Sequence, residues 1–176
     1  MIKRALEAGL IEMAVTNPRD FTKSRHRQVD DTIYGGGAGM LMMCQPLFDA
    51  CHHVLPEKGP RDRVIFLSPA GKTFNQDKAK ELQRDYDHLV LICGHYEGVD
   101  HRVEEHLADE LISIGDYVLT GGELGAMVIS DAVARMAPGV PGDAGSAATD
   151  SFYEPILENP QYTKPAEYNG WKVPDV

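Results

Sequence analysis

The 176 residues make one domain's worth of chain, and 43% hydrophobic with 25% charged residues is an ordinary globular balance that excludes disorder. Apolar runs are only a few residues long and no basic stretch precedes an apolar one at the start, so neither a membrane span nor a secretory signal is read. A formal charge of −10 argues against general affinity for polyanions, and Cys44, Cys51 and Cys93 are too few, and odd in number, for a disulfide framework, so a reducing, cytoplasmic setting is expected.

Residues 1–9 read as the end of a helix, with Ile2, Leu6 and Leu10 on one side and Gly9 suited to the position after the last turn. Leu10–Val15 follows as a short strand. Asn17-Pro18-Arg19-Asp20 marks a turn, and residues 20–39 show neither helical nor strand periodicity. Arg19, Lys23, Arg25, His26 and Arg27 gather positive charge within nine residues, as a solvated loop or as a contact for a phosphate backbone. Gly35-Gly36-Gly37-Ala38-Gly39 invites a phosphate-loop reading. No Gly-Lys-Ser/Thr ending follows it and no apolar strand leads in, so neither nucleotide-binding fingerprint holds.

Gln45–Leu55 is a helix with Leu47, Phe48, Cys51, Val54 and Leu55 at core spacing. Its Cys51-His52-His53 run is not expected to bind metal, because adjacent helical residues diverge and no ligand stands at i+4. Val64–Leu67 is a buried strand ending in a Ser68-Pro69-Ala70-Gly71 loop. Asn75 or Asp77 caps the next helix, which runs to about Asp85 with Ala79 and Leu82 inward. Two further buried strands, Leu89–Cys93 and Leu111–Ile114, each break into a glycine-bearing polar loop. The first loop is Gly94-His95-Tyr96-Glu97-Gly98; the second runs from Gly115-Asp116-Tyr117 to Gly121-Gly122-Glu123. Strand, helix and strand in this order make an α/β fold with a parallel sheet. Loops at the carboxyl ends of such strands line a ligand crevice, and their glycines let backbone groups approach the ligand.

Leu124–Met136 is an amphipathic helix whose buried face is expected to be Leu124, Met127, Val128, Ala132 and Met136, stopped by Pro138-Gly139. Arg135 falls in its last turn, where a cation suits the helix dipole in any case. Pro141–Ala148 reads as a mobile linker to Thr149-Asp150-Ser151-Phe152. From Tyr153 to Val176 four further prolines and little periodicity read as a tail that wraps a surface.

Two runs, ICGHYEGVDHRV (92–103) and SIGDYVLTGGELGAM (113–127), closely resemble the bacterial tRNA (guanine-N1)-methyltransferases of the trefoil-knotted (SPOUT) class. The segments RDFTKSRHRQVDDTIYGGGAGMLM (19–42), VIFLSPAGKTFNQ (64–76) and APGV…ATDSF (137–152) match in the same order, so the likeness covers most of 19–152. It departs at Ile33, where many members have proline. The resemblance implies helices on both faces of the sheet, a deep C-terminal trefoil knot and a homodimer with active sites shared across the interface. It implies S-adenosylmethionine as cofactor, held by Leu67, Ser68, Pro69, Gly94, Tyr96, Glu97, Ile114, Gly115, Tyr117, Leu119, Gly121 and Gly122.

Family members carry a further strand and turn before the first helix and a small tRNA-gripping domain beyond this segment. Residues 1–152 are therefore expected as the cofactor-binding knotted domain without that first strand. Residues 153–176 are expected as a tail leading toward the tRNA-binding domain, with tRNA gripped weakly by these residues alone.

Methylating guanine N1 requires a base to remove its proton and a donor or cation for the charge that develops on O6. The matched positions give Asp150 as general base and Arg135 as the electrostatic partner; spacing alone does not pair them. The resulting expectation is methyl transfer to N1 of guanosine-37 in tRNA, next to the anticodon. A ribose 2′-O-methyltransferase of the same class and a catalytically silent RNA-binding domain are the alternatives.

Overall fold

The computed structural model describes residues 1–140, 151 and 160–174. Helix α1 (Ile2–Glu7) ends as its glycine requires. Gly9 takes φ +65°, its N–H reaches Leu6 O, and Leu10 N reaches back to Ala5 O. These two bonds satisfy the last carbonyls of the helix in a Schellman arrangement. The side of α1 that packs is not the expected one: Ala5 is buried, while Leu6 and Leu10 are exposed. Leu10–Val15 is likewise not a strand. It pairs with nothing among the described residues, and Met13 and Val15 stand in solvent.

A 3₁₀ turn at Pro18–Phe21 follows, with Asn17 Oδ1 accepting from Arg19 N at 3.0 Å and Pro18 supplying the fixed φ at its start. The aperiodic segment after it contains a short antiparallel pair, β1 (Asp30–Thr32) with β2 (Met40–Met42). Three residues per strand are too few for a period to show in the sequence. Helix α2 (Cys44–Val54) then leads to β3 (Asp62–Thr73).

β3 is the centre of the main sheet. Helix α3 (Gln76–Asp85), β4 (His88–Cys93), α4 (Arg102–His106), β5 (Glu110–Ser113) and α5 (Glu123–Ala134) complete the domain, and the strand order is β4–β3–β5, all parallel. Successive side chains of β3 point to opposite faces, so one apolar run feeds two cores. Val64 and Phe66 join Ile92 against Leu47 and Cys51 of α2 and Val103 of α4. Ile65, with Ile112, packs on Leu82 of α3 and Ile129 of α5. Asn75 is the cap of α3, its Oδ1 accepting from Lys78 N at 2.9 Å.

Three further expectations are corrected. Ser68–Gly71 does not lie beyond the strand. It loops out within β3, because Leu67 and Lys72 both register with Ile112 of β5. The return at Gly71 needs a glycine, since a Cβ there would lie 2.5 Å from Ile112 N. The buried stripe of α5 is Gly125 and Ile129, with Val133 packed behind them. Leu124, Met127 and Val128, expected inside, are 56%, 66% and 48% exposed. An apolar α5 permits more than one face to be chosen, and Gly125 wins because it lets the helix approach Leu67 most closely. The tail, finally, contains a hairpin: β6 (Glu167–Tyr168) pairs with β7 (Trp171–Lys172) about Asn169-Gly170, both at positive φ. Asn-Gly is the favoured pair for such a two-residue turn. No helix among the described residues is long and apolar enough to cross a membrane.

The amino ends of the strands are tied by charge. Glu110, at the start of β5, accepts from Arg63 Nε at 2.9 Å and Lys78 Nζ at 2.6 Å, one cation on each oxygen. Burial opposes ionisation of Glu110, yet these two bonds outweigh it and hold the carboxyl below its ordinary pKa. Asp109 is held low in the same way by Lys58 and the Val64 N–H. A depressed carboxyl contributes stability above its unfolded pKa, about 4, and that contribution is lost as pH falls through the folded value. Glu110→Gln is expected to cost about 1.5–3 kcal/mol in urea unfolding at pH 7. It should also flatten the stability loss seen in the wild-type chain below about pH 4; an unchanged acid limb would show that Glu110 does not carry it.

Candidate active site

At the opposite, carboxyl end of the sheet the backbone does most of the joining. β4 ends at Cys93 and the chain turns through Gly94–Gly98; β5 ends at Ser113 and the chain runs through Gly115–Gly122 into α5. These two loops meet. Gly122 N donates to Gly94 O at 2.9 Å, and His95 pairs with Gly121 as an isolated antiparallel bridge. The approach is so close that a Cβ on Gly122 would lie 2.8 Å from Cys93 Cα. Burial, with a smaller push from Glu123, raises the Cys93 thiol to about 11, so it stays neutral at this junction.

The second loop is braced from within. Ser113 Oγ donates to Gly115 O and accepts from Gly115 N, both at 3.1 Å. Tyr117 folds its ring over Gly115, where a Cβ would come within 2.4 Å of Tyr117 Cε1, and its hydroxyl donates to Ile114 O at 3.1 Å. Leu67 and Ile114 converge on Gly125 of α5. Ser68 is buried and its Oγ accepts from Ala70 N at 3.3 Å, while Pro69 and Leu119 face outward.

The first loop is carried from behind by β2. Glu97 N donates to Met40 O, Met42 N to Gly98 O and Asp100 N to Met42 O, at 2.9–3.1 Å. Glu97 lays its side chain against Gly39, where a Cβ would lie 2.2 Å from Glu97 Cγ. Tyr96 stands at φ +60°, a left-handed conformation that costs a bulky residue about 1–3 kcal/mol. Below the loop, Asp100 accepts two bonds from the Arg102 guanidinium, chiefly for which its carboxyl is held well below the usual range.

The structure thus brings together ten of the twelve cofactor positions named from the sequence in three neighbouring segments, 67–68, 94–97 and 114–122; Pro69 and Leu119 belong to the first and the last but face outward. Arg135 follows the last turn of α5 and takes part in an interaction of its own. Asp150 lies outside the described residues. Sequence reasoning passed over four supporting residues: Ser113, which braces Gly115; Gly125, which admits Leu67; Gly39, which receives Glu97; and His95, which bridges to Gly121. The readable signals were a polar residue closing an apolar strand and glycines in a helix and before a strand.

A family model described as tRNA (Guanine-1)-methyltransferase TrmD matches residues 1–176. The chain belongs to the TrmD family. It is 52% identical over 176 residues to the tRNA (guanine-N(1)-)-methyltransferase of Halalkalibacterium halodurans, covering 100% of this chain and 71% of that one. Against the protein of the same name from Desulforamulus reducens the identity is 54% over 177 residues, with 100% and 69% covered. Against that of Listeria welshimeri it is 52% over 178 residues, with 100% and 72% covered.

Because Gly122 meets backbone and not a movable side-chain tip, Gly122→Ala must separate the two loops of this TrmD-family site. Overpacking of this kind costs about 1–3 kcal/mol. Urea unfolding is expected to show that loss, whereas a variant as stable as wild type would mean that the loops give way freely.

Proposed function

We propose that this chain transfers the methyl group of S-adenosylmethionine to N1 of guanosine-37 in tRNA, beside the anticodon. The observation that carries this reading is TrmD family membership over residues 1–176, together with the meeting of the glycine loops at the sheet's carboxyl end. Membership supports tRNA guanine-N1 methylation over ribose 2′-O-methylation or a silent scaffold.

The loops suit a ligand bound by backbone. Gly94, Gly121 and Gly122 carry no side chains of their own over their peptide groups, Gly115 lies under the Tyr117 ring, and Leu67 and Ile114, which converge on Gly125, give an apolar floor. These residues would hold S-adenosylmethionine, with Glu97 accepting from its amino or ribose groups and Tyr96 and Tyr117 as flanking rings. The cofactor supplies a methyl group on a cationic sulfur, so the chain's task is alignment and exclusion of water. Asp150 takes the N1 proton, which makes N1 a nucleophile. Arg135 offers its planar fork to guanine O6, where negative charge develops.

The same reading includes the trefoil knot, the segment after Ser113 threading a loop made by the preceding strands. It divides the chain into a methyltransferase domain, 1–152, and a tail, 153–176. It also includes a homodimer with Asp150 completing the partner's site. The exposed apolar stripe Leu124, Met127 and Val128 on α5, with exposed Val118 nearby in the chain, supports an interface there.

Asp150→Asn is expected to leave S-adenosylmethionine affinity by calorimetry nearly unchanged and to lower methyl transfer by about 10²–10⁴. Near-full transfer by this variant would move the base elsewhere. Mixing Asp150→Asn chains with Arg135→Ala chains should restore part of the turnover if the sites are shared, and none if each chain works alone.

A further inference from the structure

We propose that Arg19 is a positioning residue for the cofactor loop, setting Tyr96 from the basic segment 19–27. This rests on the reading of Tyr96 and Glu97 as cofactor residues. Arg19 Nη2 donates to Tyr96 Oη at 2.7 Å, across 77 residues of sequence, while Nη1 of the same guanidinium donates to Arg27 O at 3.0 Å. One planar fork therefore ties two residues that both stand in the left-handed region, Tyr96 at φ +60° and Arg27 at φ +55°. Neither is a glycine, so each conformation needs something outside itself to hold it. Arg19 is the group that touches both.

The root of Arg19 is fixed well enough to act as a strut. Its backbone lies in the 3₁₀ turn capped by Asn17. The turn is fastened to α2 by Gln45 Nε2 donating to Phe21 O at 2.7 Å and by Phe21 packing on His53, with ring centroids 5.1 Å apart. Arg27 closes the segment on the other side through its ion pair with Asp20. The tip of Arg19 is differently placed. Among the described residues no carboxylate pairs with it, and both of its bonds go to uncharged oxygens. Its charge is therefore not spent among the described residues, and the remaining guanidinium N–H groups can meet a phosphate while Tyr96 is held. The loop that Arg19 holds also carries Glu97, whose amide is bonded to Met40 O and whose side chain rests on Gly39. The 19–42 segment thus grips the 94–98 loop at Tyr96 and at Glu97, and Arg19 is its one charged contact with Tyr96.

The test is a double-mutant cycle read by calorimetric titration with S-adenosylmethionine, using Arg19→Lys, Tyr96→Phe and the pair. Lysine keeps the charge but cannot bridge two oxygens as the fork does. Arg19→Lys is expected to weaken cofactor binding about fivefold, as the loss of one such bond implies, with little change in melting temperature because Arg19, Tyr96 and Arg27 all lie outside the two buried cores. The double variant should be no weaker than the stronger single effect, since both substitutions break the same link. Arg19→Lys binding the cofactor as wild type does, or additive losses in the pair, would overturn the proposal. A wild-type chain that fails to bind S-adenosylmethionine would instead overturn the reading of the site itself, which separates the two failures.

Discussion

A single backbone hydrogen bond, Gly122 N–H to Gly94 O at 2.9 Å, fixes how the carboxyl end of this sheet is built. It requires the chain entering α5 to lie against the end of β4, with room for no side chain at Gly122. Once that contact is made, His95 falls opposite Gly121, and Gly125 brings α5 down onto Leu67 and Ile114. The choice of α5's buried face follows from it. So does the outward display of Leu124, Met127 and Val128. A cofactor crevice lined by peptide groups and an apolar surface beside it are two results of one close approach.

Charge is divided between the two ends of the sheet. At the amino end, Arg63 and Lys78 satisfy both oxygens of Glu110, and Asp109 is held by Lys58 and the Val64 N–H. Those cations are consumed by structure. At the carboxyl end Arg19 bonds, among the described residues, only to uncharged oxygens, within a cluster of basic residues. A chain of net charge −10 can still attract a polyanion locally if its unspent cations are concentrated in one place. The distribution matters more here than the sum.

Much of the main sheet was legible because parallel strands buried on both faces are short continuous apolar runs, and Val64–Leu67, Leu89–Cys93 and Leu111–Ile114 are such runs. The caps were legible for the same kind of reason: Asn75 and Gly9 are residues whose chemistry suits one place in a helix. What failed was whatever depended on contacts distant in sequence. Leu10–Val15 is a short apolar run broken only by Glu12, which suits a strand, but it finds no partner strand among the described residues. α5 is apolar on several sides, so its period could not say which side Leu67 would meet. The bulge at Ser68–Gly71 depends on the register with β5, some forty residues later, which no local pattern encodes. Asn169-Gly170, by contrast, was a local hairpin signal present in the tail and passed over. The Arg19–Tyr96 link spans 77 residues, and only the folded chain pairs them.

The central claim is that this site, in a chain of the TrmD family, methylates a guanine ring nitrogen. Incubation with S-adenosylmethionine and tRNA transcripts carrying or lacking a guanosine 3′ of the anticodon, followed by nucleoside analysis, tests it most directly. The account predicts 1-methylguanosine from the transcript that carries that guanosine and none from the other. A 2′-O-methylated ribose, or equal methylation of both transcripts, would contradict it.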